Sequence, residues 1–164
     1  GVRSEEEIYM MHQAAYRYCR PEASIKFDTY HVAPTDMVGE GRGRRTIVIA
    51  TVSPSDRRPV CALDDDERPR AYIRIADENI VASPVHLALW RDSQNDRGMM
   101  MTYDATVRRL LDTLRGRALT LSQAVRLSHI PRPRVITLLA RLVRFNVAEC
   151  RYSEQHFLFC LRED

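Results

Sequence analysis

The sequence has little that would place it in a membrane or build it around a metal. No apolar run approaches the roughly 20 residues that a membrane-spanning helix needs, and the acidic start, GVRSEEE, is no signal peptide. The four cysteines form no C-x-x-C pair and the five histidines are scattered, so no zinc-ligand spacing is present. We therefore expect a cytoplasmic protein without membrane attachment, metal or other cofactor.

Lysine is almost absent as well, because all but Lys26 of the 25 basic residues are arginine. Such a bias can follow from the coding composition of a GC-rich genome, so arginine by itself is weak evidence for a ligand. With 45% hydrophobic and 29% charged residues among 164, the chain is a globular protein with room for one or two small domains.

The arginines are concentrated between Ala105 and Arg151. This segment contains ten arginines and two acids, Asp112 and Glu149, although the formal charge of the whole chain is only +3. A local excess of positive charge predicts a polyanionic partner better than the overall balance does. We expect that partner to be DNA.

The stretch from Leu119 to Phe145 predicts a helix-turn-helix. The first helix begins at Thr120, with Gln123 as its capping-box partner, and Ile130 fills the turn. In the second helix, from Pro131 to Phe145, four residues at spacings of three and four form an apolar stripe: Val135, Leu138, Leu139 and Leu142. A polar row follows on the other side: Arg134, Thr137, Arg141 and Arg144. One face of this helix can pack while the other offers guanidinium groups.

A helix upstream and a hairpin downstream complete the pattern of a winged helix. Apolar spacing predicts a helix over Tyr103–Arg115, and two strands over Val147–Tyr152 and His156–Leu161 are joined by a turn. The segment from Tyr103 to Asp164 resembles the winged-helix DNA-binding domains of bacterial transcription regulators. Some winged helices bind proteins or RNA instead, and an arginine row on a helix is often only a solvated face.

The preceding part has the pattern of an α/β domain. A helix is predicted over Ser4–Tyr18, followed by strands at about Ile25–Ala33 and Arg45–Val52. The second strand is nearly all apolar, so we expect it to be central and buried. A third strand over Arg70–Ala76 and a helix opened by Ser83 and Pro84 come next. The predicted division is residues 1–92, a polar linker at 93–102, and the winged helix at 103–164.

A family resemblance covers the chain from Gly1 to about Trp90. It rests on the apolar strand that ends near Pro54, the Arg58-Pro59 pair, and the Tyr-Ile-Arg-Ile stretch that leads to Ala82-Ser83-Pro84. These motifs resemble the Schlafen/AlbA-like domain, a DNA-binding domain behind which bacterial members often carry a winged helix. The implied fold is α+β: a partial α/β Schlafen/AlbA-like domain plus a C-terminal winged helix of three helices and a β-hairpin.

The chain departs from that family at its start. The family's domains begin with an acidic strand, a helix and a strand ending near an Asp-x-Gly turn, and none of these precedes Gly1. The acids that nuclease relatives use would lie in that half, so no catalytic residue is carried over and we expect no enzyme. A half-domain leaves apolar sheet uncovered around Ile47–Val52. We expect this surface to meet a second copy of the chain or an N-terminal fragment of the same protein.

Three further features are weak candidates. Gly39–Arg44, GEGRGR, can offer backbone N–H groups to a phosphate, but it has no lysine and no following helix, so nucleotide binding, a phosphate contact and an ordinary loop stay open. The acidic run Asp64–Glu67 lacks the ligand alternation of a calcium loop and predicts a solvated turn. Cys150 and Cys160 can oppose each other across the hairpin, although reduced thiols suit a cytoplasmic protein.

The predicted function is a bacterial transcription regulator that binds double-stranded DNA, as a dimer, by inserting the second helix into the major groove. Seven residues are candidate DNA contacts: Arg126, Arg132, Arg134, Thr137, Arg141, Arg144 and Arg151. Of these, Arg132 and Arg134 would lie near base edges or phosphates, with Arg151 at a flanking phosphate. Two alternatives remain: a Schlafen-like RNA-processing enzyme whose active site lies in the absent half, and a scaffold whose winged helix binds protein.

Overall fold

The computed structural model describes residues 4–32, 45–92 and 101–162. The glycine-rich motif at residues 39–44 and most of the predicted linker, residues 93–100, lie outside these ranges. The chain divides into two compact units, Gly1–Tyr72 and Ile73–Asp164. The second unit therefore begins well before residue 103, where the sequence placed the start of the winged helix.

The first unit combines one helix with short antiparallel strands. Helix α1 (Ser4–Tyr18) leads directly into β1 (Cys19–Arg20), and the long strands β2 (Ile25–Val32) and β3 (Arg45–Val52) follow. Strands β4 (Cys61–Leu63) and β5 (Pro69–Arg70) complete the unit, with β4 between β1 and β5. The predicted helix and the first two predicted strands are confirmed.

Strand β3 is not the buried central strand that its apolar sequence predicted. Among the described residues it pairs only with β2, in a register that sets Tyr30 opposite Ile47 and Ala50 opposite Phe27. Helix α1 packs against part of the face that carries Phe27, where the His12 ring meets the Phe27 ring at 4.8 Å between centroids. Side chains alternate along a strand, so Ile47 and Ile49 point to the other face and are 52% and 47% exposed.

The acidic run folds into the turn between β4 and β5. The Asp64 carboxylate accepts hydrogen bonds from the backbone N–H groups of Asp66 and Arg68, at 3.1 and 2.8 Å, and from Nε of Arg70 at 2.7 Å. The backbone N–H of Arg68, followed by the Arg70 side chain, lowers the pKa of Asp64. This carboxylate organises a solvated turn, as predicted.

The second unit begins within β6 (Tyr72–Ile75), which forms a hairpin with β7 (Glu78–Val81), and α2 (Pro84–Asp92) follows. Three helices come next: α3 (Ala105–Leu114), α4 (Leu121–Ser128) and α5 (Arg132–Arg144). The short strand β8 (Leu119–Thr120) precedes α4, and β9 (Ala148–Ser153) and β10 (His156–Leu161) end the unit. Strand β10 lies between β8 and β9. Helices α3 to α5 with this sheet have the arrangement of a winged helix.

One apolar core holds this unit together. The predicted stripe of α5 is fully buried, and it packs with Leu110 and Leu114 of α3 and with Phe159 of β10. Helix α2 belongs to the same core, because Val85 is only 2% exposed and Ala88 and Leu89 pack beside it. The compact unit therefore extends back through α2, which the sequence had assigned to the other domain.

Local signals in the sequence set the ends of the helices. Thr120 and Gln123 form the predicted capping box: Gln123 N–H donates to Thr120 Oγ1 at 3.2 Å, and Thr120 N–H donates to Gln123 Oε1 at 2.8 Å. Helix α4 ends at Ser128 and its C-cap is His129, whose φ of 54° is left-handed. The next residue, Ile130, is buried in the turn as predicted.

All four cysteines are free thiols. The hairpin register sets Cys150 opposite Phe159 and Cys160 opposite Glu149, so the two sulfur atoms lie on opposite faces of the sheet. The predicted opportunity for a bridge across the hairpin is thereby lost. No helix in the described ranges has the length and apolarity to cross a bilayer.

Candidate nucleic-acid interface

The exposed positive charge of the helix-turn-helix lies at the turn itself. Pro131 is the N-cap of α5, and Arg132, Pro133 and Arg134 in the first turn of that helix are exposed, as is Arg126 near the end of α4. Neither Arg126 nor Arg132 has a hydrogen bond or ion pair with another residue of the described ranges. Both guanidinium groups are therefore available to an anion.

Arg134 has a carboxylate beside it. Its Nη2 lies 3.5 Å from Oδ2 of Asp104, and 48% and 39% of the two side chains are exposed. Asp104 is also the N-cap of α3, where its Oδ1 accepts the backbone N–H of Val107 at 2.8 Å. That hydrogen bond, ahead of the charge of Arg134, lowers the pKa of Asp104, so the carboxylate is ionised at neutral pH.

The second half of the predicted polar row does not stand free in solvent. Arg141 is half-buried, with Nε at 4.0 Å from Oδ2 of Asp92 and without a hydrogen bond partner in the described part of the chain. Arg144 is half-buried too, and its Nη1 donates to the backbone carbonyl oxygen of Asp92 at 2.5 Å. Both arginines are half-buried because α2 packs along α5 and ends at Asp92.

Thr137 is turned toward its own helix. Its Oγ1 donates to the carbonyl oxygen of Pro133 at 3.1 Å, and the residue is half-buried. Between Thr137 and Arg141, Ala140 is buried as well. The expectation of a continuous exposed row along α5 is therefore wrong beyond its first turn.

The last candidate, Arg151, lies on the wing. It is exposed on β9 and forms a close ion pair with Glu149, which also accepts the Cys160 thiol at 3.5 Å. The turn at the tip of the wing has two residues with positive φ, Glu154 at 50° and Gln155 at 62°. In protein–DNA complexes an exposed cation on a wing can contact a phosphate.

Two carboxylates in this region escaped the sequence analysis. The count of acids began at Ala105, one residue after Asp104, and Asp92 was assigned to the other domain. A signal for Asp104 does exist in the sequence, because an aspartate immediately before an apolar helical pattern is a preferred N-cap. For Asp92 there is no such local signal, because its contacts with Arg141 and Arg144 exist only when α2 packs against α5.

The remaining titratable groups of the described residues form no cluster with the composition of a metal site. Within the described residues, no three His, Cys, Asp or Glu side chains form a group that could hold a metal ion. His86 is half-buried, its Nδ1 lies 2.7 Å from Ser83 Oγ, and its ring packs against Phe157 at 4.7 Å between centroids. Burial lowers the pKa of His86, and these contacts serve the start of α2.

No family model, curated protein or solved structure matches this chain. The resemblance of the first part to the Schlafen/AlbA-like domain stays a prediction.

Proposed function

We propose that the second unit binds double-stranded DNA through the start of α5, in a bacterial transcription regulator that works in the cytoplasm. The observation that carries this proposal is the coincidence of two features. The helices and hairpin have the order of a winged helix, and the exposed guanidinium groups of Arg126 and Arg132, unpaired among the described residues, lie on either side of its turn. In helix-turn-helix proteins this end of the recognition helix approaches the bases.

The contact set that the geometry supports is narrower than the seven candidates. Arg126 and Arg132 are free to bind phosphates, and Arg134 stands in the first turn, where a side chain can reach a base edge. Arg141 and Arg144 contact Asp92, and Thr137 donates to its own helix, so we expect smaller effects from changing these three. Helix α5 would enter the groove by its amino end rather than lie along it.

The wing adds a flanking contact. Arg151 is exposed on β9, and its partner Glu149 is only half-exposed, so a phosphate can compete for the guanidinium group without displacing a buried ion pair. We expect a modest contribution, because each phosphate contact of this kind mainly adds sequence-independent affinity.

A regulator that reads DNA commonly acts as a symmetric dimer on two half-sites. We propose that this chain also forms a homo-oligomer or pairs with another fragment of the same protein. The support is the open face of the β2–β3 sheet, which exposes Tyr30, Ile47 and Ile49.

A protein-binding winged helix is a second candidate, and a specific observation favours it. Leu127 at the end of α4, and Phe145 and Val147 after α5, are exposed apolar residues of the same unit. An apolar partner surface would cover them and would bind with little dependence on salt.

The deciding experiment measures binding of the full chain to a random duplex pool by fluorescence anisotropy at about 50 and 200 mM salt. We compare the double variant R126A/R132A with the control R74A/R115A, which removes the same charge from exposed positions of the same unit. The proposal expects R126A/R132A to bind more weakly and to reduce the slope of log K against log salt by about two, at roughly 0.9 per phosphate contact. An equal loss of DNA affinity in both double variants would reject the proposal. So would the absence of DNA binding together with salt-insensitive binding of the chain to a protein partner.

A further inference from the structure

The carboxylate of Asp104 joins two elements of the winged helix. One oxygen, Oδ1, accepts the backbone N–H of Val107 and caps α3, while the other, Oδ2, lies 3.5 Å from Nη2 of Arg134 on α5. Because the first contact is made to backbone, the carboxylate is held in place and the long arginine side chain is the adjustable partner. The start of α3 therefore restrains where the Arg134 guanidinium group can lie.

A negative charge at this position is unexpected on a surface that only binds phosphates. The carboxylate repels the DNA backbone and offsets much of the attraction that Arg134 would exert on a phosphate. Arg126 and Arg132 have no such neighbour among the residues that the structure describes. The three arginines are thus chemically different: two are free cations, and one is a cation already matched with an acid.

The ion pair leaves most of the Arg134 donors unused. The carboxylate takes one N–H of Nη2, so the second N–H of Nη2 stays available together with that of Nη1 or Nε beside it, on a side chain that is 48% exposed. A guanidinium group needs two N–H donors to contact O6 and N7 of guanine together. Restraint by a neighbouring group reduces the conformational freedom that such a bidentate contact would otherwise remove.

We propose that Asp104 sets the sequence selectivity of the DNA interface by keeping Arg134 off the phosphates and directing it to the guanine edge in the major groove. Asp104 is in this sense a positioning residue, and Arg134 is the residue that touches the base. The inference rests on the proposed function, since it assigns a selectivity to the same interface.

The test uses D104N in the full chain, because asparagine is as good an N-cap as aspartate and removes only the charge. The matched control is D112N. Asp112 lies on the same helix and pairs with Arg115 at 3.4 Å on the exposed surface, so both variants gain one unit of positive charge. The probe is a random duplex pool whose bound fraction is sequenced. The most enriched duplex is then compared with the same duplex containing 7-deazaguanine, which lacks the N7 acceptor.

We expect the unsubstituted protein to enrich guanine-containing duplexes and to bind the 7-deazaguanine duplex about tenfold more weakly, the scale of one hydrogen bond lost from a bidentate contact. D104N should bind the unselected pool about three- to tenfold more tightly at low salt, with a salt slope steeper by about one, and should lose most of the 7-deazaguanine effect. D112N should retain that effect in full.

Two results would overturn the inference while leaving DNA binding intact: a bound pool without enriched bases, or a 7-deazaguanine effect that is the same in D104N as in the unsubstituted protein. Absence of binding to any duplex at either salt concentration is a different result. It would remove the proposed function, and the inference with it.

Discussion

Arg144, at the end of α5, donates a hydrogen bond from Nη1 to the backbone carbonyl oxygen of Asp92, the last residue of α2, at 2.5 Å. A lysine could place one charge there, but the planar guanidinium group also leaves donors for a second partner. The contact fixes the end of α2 against α5. Helix α2 is therefore part of the winged helix in this protein, and the surface that we propose for DNA ends where α2 begins to cover α5.

If α2 is integral to this unit, removing its buried anchor should destabilise the whole unit. Val85 is 2% exposed in the core that contains Leu138 and Phe159. We expect V85A to lower the free energy of unfolding by about 2 kcal/mol, because the lost methyl groups leave a cavity in a packed core. Urea unfolding followed by circular dichroism measures the change.

The control for that substitution is V81A, which removes the same atoms from a residue that is 45% exposed on β7. It should change the free energy of unfolding by less than about 0.5 kcal/mol. Similar small effects of V85A and V81A would mean that α2 is only loosely attached. The arginines at the end of α5 would then be more accessible than the geometry indicates.

Much of the second unit was predictable because its signals are local. The capping box at Thr120, the buried plug at Ile130 and the apolar stripe of α5 each depend on residues within a few positions of one another, and all are confirmed. The hairpin strands also lie within a residue of the prediction at each end. Periodicity and capping determine such elements largely without reference to the rest of the chain.

The errors concern which surfaces meet, and periodicity does not encode that. The apolar face around Val85 predicts a packed helix but does not identify its core. The prediction placed α2 with the first domain, whereas Val85 packs in the core of the second unit, and Asp92 was overlooked. The sequence of β3 likewise cannot distinguish a strand covered on both faces from one covered only by α1. Ile47 and Ile49 are exposed because β2 is the only described strand that pairs with β3, and no described element covers the face on which these two side chains lie.

The turn of the helix-turn-helix stores strain that a glycine would relieve. His129 has φ of 54°, in the left-handed region that favours glycine at the end of a helix. We expect H129G to raise the free energy of unfolding by about 0.5–1 kcal/mol, since the relief of the Cβ clash exceeds the entropy cost of glycine. H129A keeps the Cβ atom and should give no gain. If H129A stabilises the protein as much as H129G does, the imidazole ring and not the backbone is the source of the strain.

The stability of the second unit should depend on pH through His86. Its Nδ1 lies 3.3 Å from the backbone N–H of Ser83 and accepts from it, and its ring is half-buried against Phe157. Burial lowers the pKa of His86, so the folded protein resists a proton that the unfolded chain accepts near its ordinary pKa of about 6.5. The free energy of unfolding should therefore be level above that pH and fall as the pH drops below it.

The variant H86Q keeps a hydrogen bond acceptor at the start of α2 and cannot be protonated, so it should flatten the profile between about pH 7.5 and 5.5. Asp64 and Asp104 do not affect the free energy of unfolding in this pH range. Their pKa values are lowered, so their contributions to stability are lost only at more acidic pH. Urea unfolding of both proteins across the window makes the comparison. If the free energy of unfolding falls equally with pH in H86Q and in the unsubstituted protein, another group causes the dependence. If it changes in neither protein, His86 binds a proton equally well in the folded and unfolded states, and its burial against Phe157 does not oppose protonation.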